Sequence, residues 1–301
     1  MSDFFNQGWS AYIAATTIIG LLACLALLII AARRKVIPGD DTTGHVWDED
    51  LRELNNPLPR WWMGLFVITV IFAFAYLAFF GGLGSSKGVL DWSSSAELAT
   101  DKVAVRALSA PLYAQFASMP AEQLAHQAKA MAMGERLFVN NCATCHGSDA
   151  RGGKGFPDLT DNDWLHGGTP DKIEETITHG RVGSMPSVAE AVGSEQDARN
   201  LANYVLSLSG SAHNNIAAQL GRSSFKVCAA CHGADGKGNQ LIGAPNLSDK
   251  VWLHGWGEEA VMNMIKNGKT NVMPAHDTRL SAEQIHVLAA YVWQLSKSGA
   301  P

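Results

Sequence analysis

The chain has 301 residues, a formal net charge of −5 and 17% charged residues. It is long enough for two or three domains and lacks the basic excess that nucleic-acid binding requires, so no nucleic-acid partner is expected. Only five residues are cysteine, which excludes a disulfide framework. Four of them fall in two short motifs, and the fifth, Cys24, lies in an apolar run where it is expected to be a small buried residue.

Residues 1–84 read as two membrane helices. Ala11 to Ala32 and Trp61 to Gly84 carry no charge, and each exceeds the ~20 residues that cross a hydrocarbon core. A cleaved signal peptide does not fit the first run, because Asp3 and no Lys or Arg precede it. The connecting loop, about residues 33–60, holds Arg33, Arg34, Lys35, Arg52 and Arg60. The positive-inside rule therefore puts that loop in the cytoplasm and both termini outside. Everything after Gly84 is then expected in the periplasm of a Gram-negative cell, on a multi-pass inner-membrane anchor. Trp9, Trp61 and Trp62 suit interfacial positions. On physical grounds alone the loop is a solvated, charged connector. Residues 85–130 read as a linker with helical pieces: Ser93-Ser94-Ser95 is either flexible or caps a helix near Ala96. Met119-Pro120 precedes both cysteine motifs and is a poor candidate for an iron ligand.

The motifs are Cys142-Ala143-Thr144-Cys145-His146 and Cys228-Ala229-Ala230-Cys231-His232. The form C-x-x-C-H is the attachment signature of c-type haem. Cysteines three apart share one side of a helical turn, so both sulfurs reach one porphyrin and the adjacent His turns to the iron. A redox disulfide or half of a zinc site would explain C-x-x-C, but not a His at the same place in both copies. Two covalently bound haem c groups are expected.

The motifs belong to an internal repeat. Pro157 and Leu159 recur as Pro245 and Leu247, Trp164-Leu165-His166-Gly167 as Trp252-Leu253-His254-Gly255, and Met185-Pro186 as Met273-Pro274, at offsets of 86 to 88 residues. The expected domains are residues 131–210 and 215–299, both helical. A short helix near Pro170 ends at Gly180; its counterpart spans about Glu258 to Asn267 and ends at Gly268. The last helix of each copy is capped by Ser194 or by a Ser281–Gln284 capping box. Their apolar faces are Leu201, Tyr204, Val205 and Leu208 in the first copy, and Ile285, Leu288, Ala289 and Val292 in the second. Units of ~80 residues are short for an independent core, and a held haem fills much of the gap. The expected fold is all-α: a transmembrane hairpin followed by two tandem class I cytochrome c domains.

His146 and His232 are the proximal ligands by motif. The distal ligand must recur C-terminal to them, which selects Met185 and Met273, since Met/His ligation is the electron-transfer arrangement. His166 and His254 also recur, but hydrogen bonding to a propionate or the backbone suits them better than ligation. His126, His179, His213, His276 and His286 have no repeat partner and read as surface or structural residues. Whether each Met serves its own copy or crosses to the other is left open. Two His/Met irons leave no open site, which favours outer-sphere electron transfer over oxygen chemistry on this chain. No catalytic residue is expected.

The stretch Thr42-Thr43-Gly44-His45-Val46-Trp47-Asp48-Glu49-Asp50-Leu51-Arg52-Glu53-Leu54-Asn55-Asn56-Pro57-Leu58-Pro59-Arg60-Trp61-Trp62, with the membrane segments, both C-x-x-C-H motifs and both Met-Pro pairs, resembles subunit III of the cbb3-type cytochrome c oxidases, the dihaem CcoP/FixP family. The likeness covers almost the whole chain, and the loop is its most specific part. Some members of that family have one membrane helix, whereas two are read here. The resemblance implies a non-catalytic electron-transfer subunit. Electrons would pass from a soluble or membrane-bound cytochrome c through the two haems to a monohaem subunit. They would then reach a catalytic subunit that reduces oxygen and pumps protons. It also implies methionines exchanged between the haems. A dihaem electron-accepting subunit of a periplasmic dehydrogenase predicts the same haems but not the loop, and a haem-based gas sensor would need a displaceable ligand.

Overall fold

The computed structural model describes residues 6–33 and 41–298; Arg34 and Lys35, used in the orientation argument, lie outside the described residues. The chain forms two compact units, Met1–Leu108 and Ser109–Pro301.

In the first unit, α1 (Gln7–Ala32) starts at Asn6, whose side chain accepts from the Trp9 amide at 3.1 Å, and α2 is Arg60–Phe80. Both are long and apolar enough to cross a membrane. Leu28 is the only residue buried on α1 and Val70 the only one on α2 among those described. Apolar helices with most side chains outward are the pattern expected of segments that meet an apolar surrounding. Cys24 is exposed on α1, contrary to the expectation of burial, because no other element among the described residues covers that face. The chain leaving α2 returns to the start of α1, where the Ser85 amide and hydroxyl both donate to Ser10 Oγ, at 2.7 and 2.9 Å.

The loop is more than a solvated connector. It folds into a two-stranded hairpin, β1 (Thr42–Trp47) and β2 (Leu51–Leu54), with Trp47 paired to Leu51. Asp48 and Glu49 take positive φ in its turn, as tight hairpins require. Val46, Trp47, Leu51 and Leu54 are all exposed. A helix α3 (Ser94–Ala114) then follows, capped by Ser93 Oγ accepting from the Ala96 amide at 3.2 Å.

The second unit is built from α4 (Ala121–Leu124), α5 (Ala128–Asn141), α6 (Ala143–His146), α7 (Pro170–His179), β3 (Arg181–Met185), α8 (Ala189–Val192), α9 (Glu195–Leu208), α10 (Asn215–Gly221), α11 (Lys226–His232), α12 (Glu258–Asn267), β4 (Lys269–Met273) and α13 (Ala282–Ser298). It is mostly helical. Beside the helices stand two short ladders, the β1–β2 hairpin and β3–β4, an antiparallel pair that joins the two sequence repeats. Its strands follow Gly180 (φ 69°) and Gly268 (φ 63°). At either glycine a Cβ would run into the backbone of the opposite Met-Pro segment, so only glycine permits both the turn and the approach.

Packing cuts across the repeats. One apolar cluster joins Leu137 and Phe138 of α5 and Ile173 and Ile177 of α7 to Leu280, Ile285, Leu288, Ala289 and Val292 on and before α13, with Cys142, Trp164 and Met273 at its edge. The other joins Ala198, Leu201, Ala202, Val205 and Leu206 of α9 to Phe225, Cys228, Val261, Met262 and Ile265, with Val188, Leu247 and Trp252 at its edge. Both last-helix faces read from sequence turn inward, with Tyr204 and Leu208 only partly buried, but each packs in the cluster of the other repeat's cysteine motif. The capping boxes are present: Ser194 with Asp197, and Ser281 with Gln284.

His286 on α13 holds three segments together. Its Nδ1 is 2.8 Å from Glu174 Oε2 on α7, and its Nε2 is 2.8 Å from the Met119 carbonyl. With an acceptor at each nitrogen, the doubly protonated ring satisfies both contacts. Burial lowers its pKa, but Glu174, the Met119 carbonyl and Asp171 together outweigh that, and the net shift is upward from 6.5. A raised folded-state pKa contributes stability that is complete below the unfolded value and is lost as pH rises through the folded value. The thermal midpoint of the intact protein is therefore expected to fall as pH is raised above about 6.5. His286→Gln should remove that part of the pH dependence, as thermal melts across the pH range would reveal.

Candidate functional site

Each cysteine motif forms a single helical turn. After α5, the Cys142 amide donates to Phe138 O at 2.7 Å, and the Cys145 and His146 amides donate to Cys142 O at 3.1 and 3.0 Å. The second motif closes α11 directly. A glycine with positive φ follows each His, Gly147 at 76° and Gly233 at 79°, and ends the turn. His146 Nδ1 lies 3.1 Å from Pro157 O, and His232 Nδ1 lies 2.9 Å from Pro245 O. A carbonyl can only accept, so Nδ1 carries the hydrogen and Nε2 keeps its lone pair for a metal. The two sites thus share one device for orienting their imidazoles.

The methionines lie on paired strands. In the β3–β4 register Met185 faces Lys269 and Met273 faces Arg181. The segment after each Met docks on the other repeat. The Val188 amide donates to Ile265 O and the His276 amide to Ile177 O, each at 3.0 Å. These are equivalent residues 88 apart, so the contact is reciprocal. Met273 and Cys142 both pack at the edge of one apolar cluster. His276 lies close enough to His146 that, after burial, it helps to push the His146 imidazole down.

His166 and His254 occupy equivalent turns that bind the opposite repeat. The Gly155 amide donates to Leu253 O at 2.7 Å, and Gln240 Nε2 donates to Trp164 O at 2.9 Å. Asn271 Nδ2 is 3.0 Å from His254 Nε2, which engages that nitrogen as an acceptor. Burial first, then Lys269 and Lys154, lower the His254 pKa. Glu175 is held at about 2 by hydrogen bonds from Lys172 and then Arg181. Met119 lends its carbonyl to His286.

The donor set fits a covalent c-type haem better than zinc or a redox disulfide. Burial, then Cys145, push the Cys142 thiol up to about 11, and burial, then Cys231, raise Cys228. Thiols held protonated are poor thiolate ligands and nucleophiles. Among the described residues no group of three or more His, Cys, Asp or Glu could hold a metal ion. Trp252 Nε1, at the edge of the Cys228 cluster, is buried with no hydrogen-bond partner. A buried donor of this kind calls for an acceptor, such as a haem carboxylate. Sequence reading missed that orphan, and it missed His276, which has no repeat partner to draw notice.

Residues 39–87 match the family model described as the N-terminal domain of cytochrome oxidase-cbb3, FixP. Residues 129–205 and 217–292 each match the model for cytochrome c oxidase, cbb3-type, subunit III. The cbb3-type cytochrome c oxidase subunit CcoP of Rubrivivax gelatinosus is 64% identical over 99% of this chain and 98% of that protein. Subunit FixP of Rhizobium meliloti (strain 1021) is 41% identical over 86% of this chain and 95% of that protein. Two turns that orient a histidine beside paired cysteines, inside two cytochrome-type modules, define a c-type cytochrome that binds haem. The chain belongs to the subunit III, or CcoP/FixP, family of cbb3-type cytochrome c oxidases. It is an electron-transfer subunit that assembles with the other subunits of that oxidase.

Proposed function

We propose that the chain is the entry relay of its oxidase, carrying two haems and passing electrons singly toward the subunits that reduce oxygen. Cys142 and Cys145 hold one haem and Cys228 and Cys231 the other, with His146 and His232 as proximal ligands. Met273 serves the first and Met185 the second. The observation that carries the crossed pairing is the reciprocal docking of the two Met-Pro segments, each on the helix of the opposite repeat. When bound, His/Met-ligated haems supply one-electron iron chemistry without an open coordination site. The chain's own residues fix the imidazoles through Pro157 O and Pro245 O and exclude water with the two apolar clusters. The packed domains then each combine the first part of one sequence unit, 131–210 or 215–299, with the last helix of the other.

Residues 1–84 anchor the relay as an inner-membrane hairpin with its basic loop in the cytoplasm, which leaves the haem domains in the periplasm. There a soluble or membrane-bound cytochrome c donates, and the monohaem and catalytic subunits accept. The dehydrogenase reading loses ground because it gives no reason for the oxidase-type match at residues 39–87. The test is gentle solubilisation and capture of this chain, followed by reduced-minus-oxidised spectra and a metal assay. Two c-type haems per chain accompanied by b-type haem and copper support the reading. Only c-type haem, with no oxygen uptake from reduced cytochrome c, sinks it.

A further inference from the structure

The two haem sites share a backbone but not a charge. Asp158 follows Pro157, whose carbonyl holds His146; Asn246 follows Pro245, whose carbonyl holds His232. Both side chains close the same turn. Asp158 Oδ1 accepts from the Thr160 amide and hydroxyl at 2.7 and 2.6 Å, and Asn246 Oδ1 accepts from the Ser248 amide and hydroxyl at 2.9 and 2.7 Å. One turn is thus anionic and the other is its neutral isostere, each one residue from the carbonyl that orients a proximal histidine.

The ladder ends repeat this contrast. At the Met273 end, Arg181 is neutralised by Glu175, at 2.8 Å, which also binds Lys172 at 2.6 Å. At the Met185 end the equivalents of Lys172, Glu175 and Arg181 are Ala260, Asn263 and Lys269. Lys154 approaches Gly255 beside His254 there, whereas its own equivalent at the other end is the neutral Gln240. At the Met273 end Glu175 offsets one of the two cations, Lys172 and Arg181, and Asp158 adds an anion beside the first motif; at the Met185 end Lys154 and Lys269 have no carboxylate partner among the described residues.

We propose that this asymmetry orders the two redox potentials, with Asp158 favouring the ferric iron at His146 and Lys154 and Lys269 favouring the ferrous iron at His232. The inference rests on the haem assignment above. An anion beside a redox centre stabilises its more positive, oxidised state, and a cation the reduced one. One unit charge at about 10 Å, with an effective dielectric of ~20, alters a one-electron equilibrium on the order of tenfold. Within the chain one electron then moves favourably from ferrous iron at the first motif, which becomes ferric, to ferric iron at the second, which becomes ferrous. No proton or bond is exchanged. The first motif is the entry side and the second the exit side.

The test is a spectroelectrochemical titration of the purified oxidase carrying Asp158→Asn or Asn246→Asp. Each is isosteric and keeps the Oδ1 acceptor. Asp158→Asn is expected to raise the lower-potential c-haem component and leave the higher one in place. Asn246→Asp is expected to lower the higher component, and Lys154→Gln to do the same. If neither isosteric change moves a component, these residues only close turns and the proposal falls. If Asp158→Asn moves the higher component, the order is reversed and the proposal also falls. A covalent-haem count on the same sample separates this from failure of the haem assignment. Fewer than two haems per chain overturns the assignment itself, whereas two haems with unmoved potentials overturn only the ordering.

Discussion

Produced separately, residues 109–211 and 212–301 are expected to yield no folded haem domain, whereas the two pieces produced together should assemble. The expectation follows from where the last helices pack. Cutting between α9 and α10 removes Leu280, Ile285, Leu288, Ala289 and Val292 from the cluster around Leu137, Phe138 and Ile173. It equally removes Ala198, Leu201, Val205 and Leu206 from the cluster around Phe225 and Val261. Burying a Val, Leu or Ile side chain stabilises by about 1.5–3 kcal/mol, so the loss in either piece is on the order of 5–10 kcal/mol. That is as large as the whole stability of a typical domain, about 5–15 kcal/mol. A second measurement avoids dependence on expression: a protease site placed in the intact chain at Ser211–Ala212, between the helices. Cleavage there should leave two fragments that stay together on gel filtration and keep both haem spectra. Fragments that separate, each with an intact spectrum, would mean that the packing follows the repeats instead.

Much of the local structure was legible because it depends on neighbours in sequence. Spacing alone put both cysteines and the histidine of each motif on one turn, and Ser194, Ser281, Gly180 and Gly268 marked helix limits that the structure has. The exchange of the last helices was not legible, for a physical reason. The faces of α9 and α13 have the same period and similar apolar content, so either would suit either groove. What distinguishes them is the β3–β4 ladder, which carries each chain segment across to the other repeat. Strands of five residues such as Arg181-Val182-Gly183-Ser184-Met185 give no firm alternation, so the ladder left no clear mark. Asp158 and Asn246 occupy matching places in the two repeats, but nothing in the motif pattern singled them out. Their meaning appeared only when the same carbonyl geometry was found beside both.

Met273→His is expected to lower the potential of the haem on Cys142 and Cys145, and Met185→His that of the haem on Cys228 and Cys231. The reasoning combines register and packing. Met273 packs in the cluster that contains Cys142, and its following segment is tied to α7 by the His276–Ile177 hydrogen bond. Met185 is followed by a segment tied to α12 through Val188 and Ile265, and Val188 packs against the cluster that contains Cys228. A thioether favours ferrous iron, and replacing it with imidazole favours the ferric state, so the potential drops. To assign the effect, each ligand change is combined with Cys142→Ser and Cys145→Ser, which leave only the second haem. The spectrum of that remaining haem reports whether its domain has stayed folded. With crossed ligands, Met185→His lowers the single remaining potential and Met273→His leaves it unchanged. If the responses are interchanged, each methionine serves the haem of its own repeat. The interleaved helices would then pack around ligand loops that do not cross.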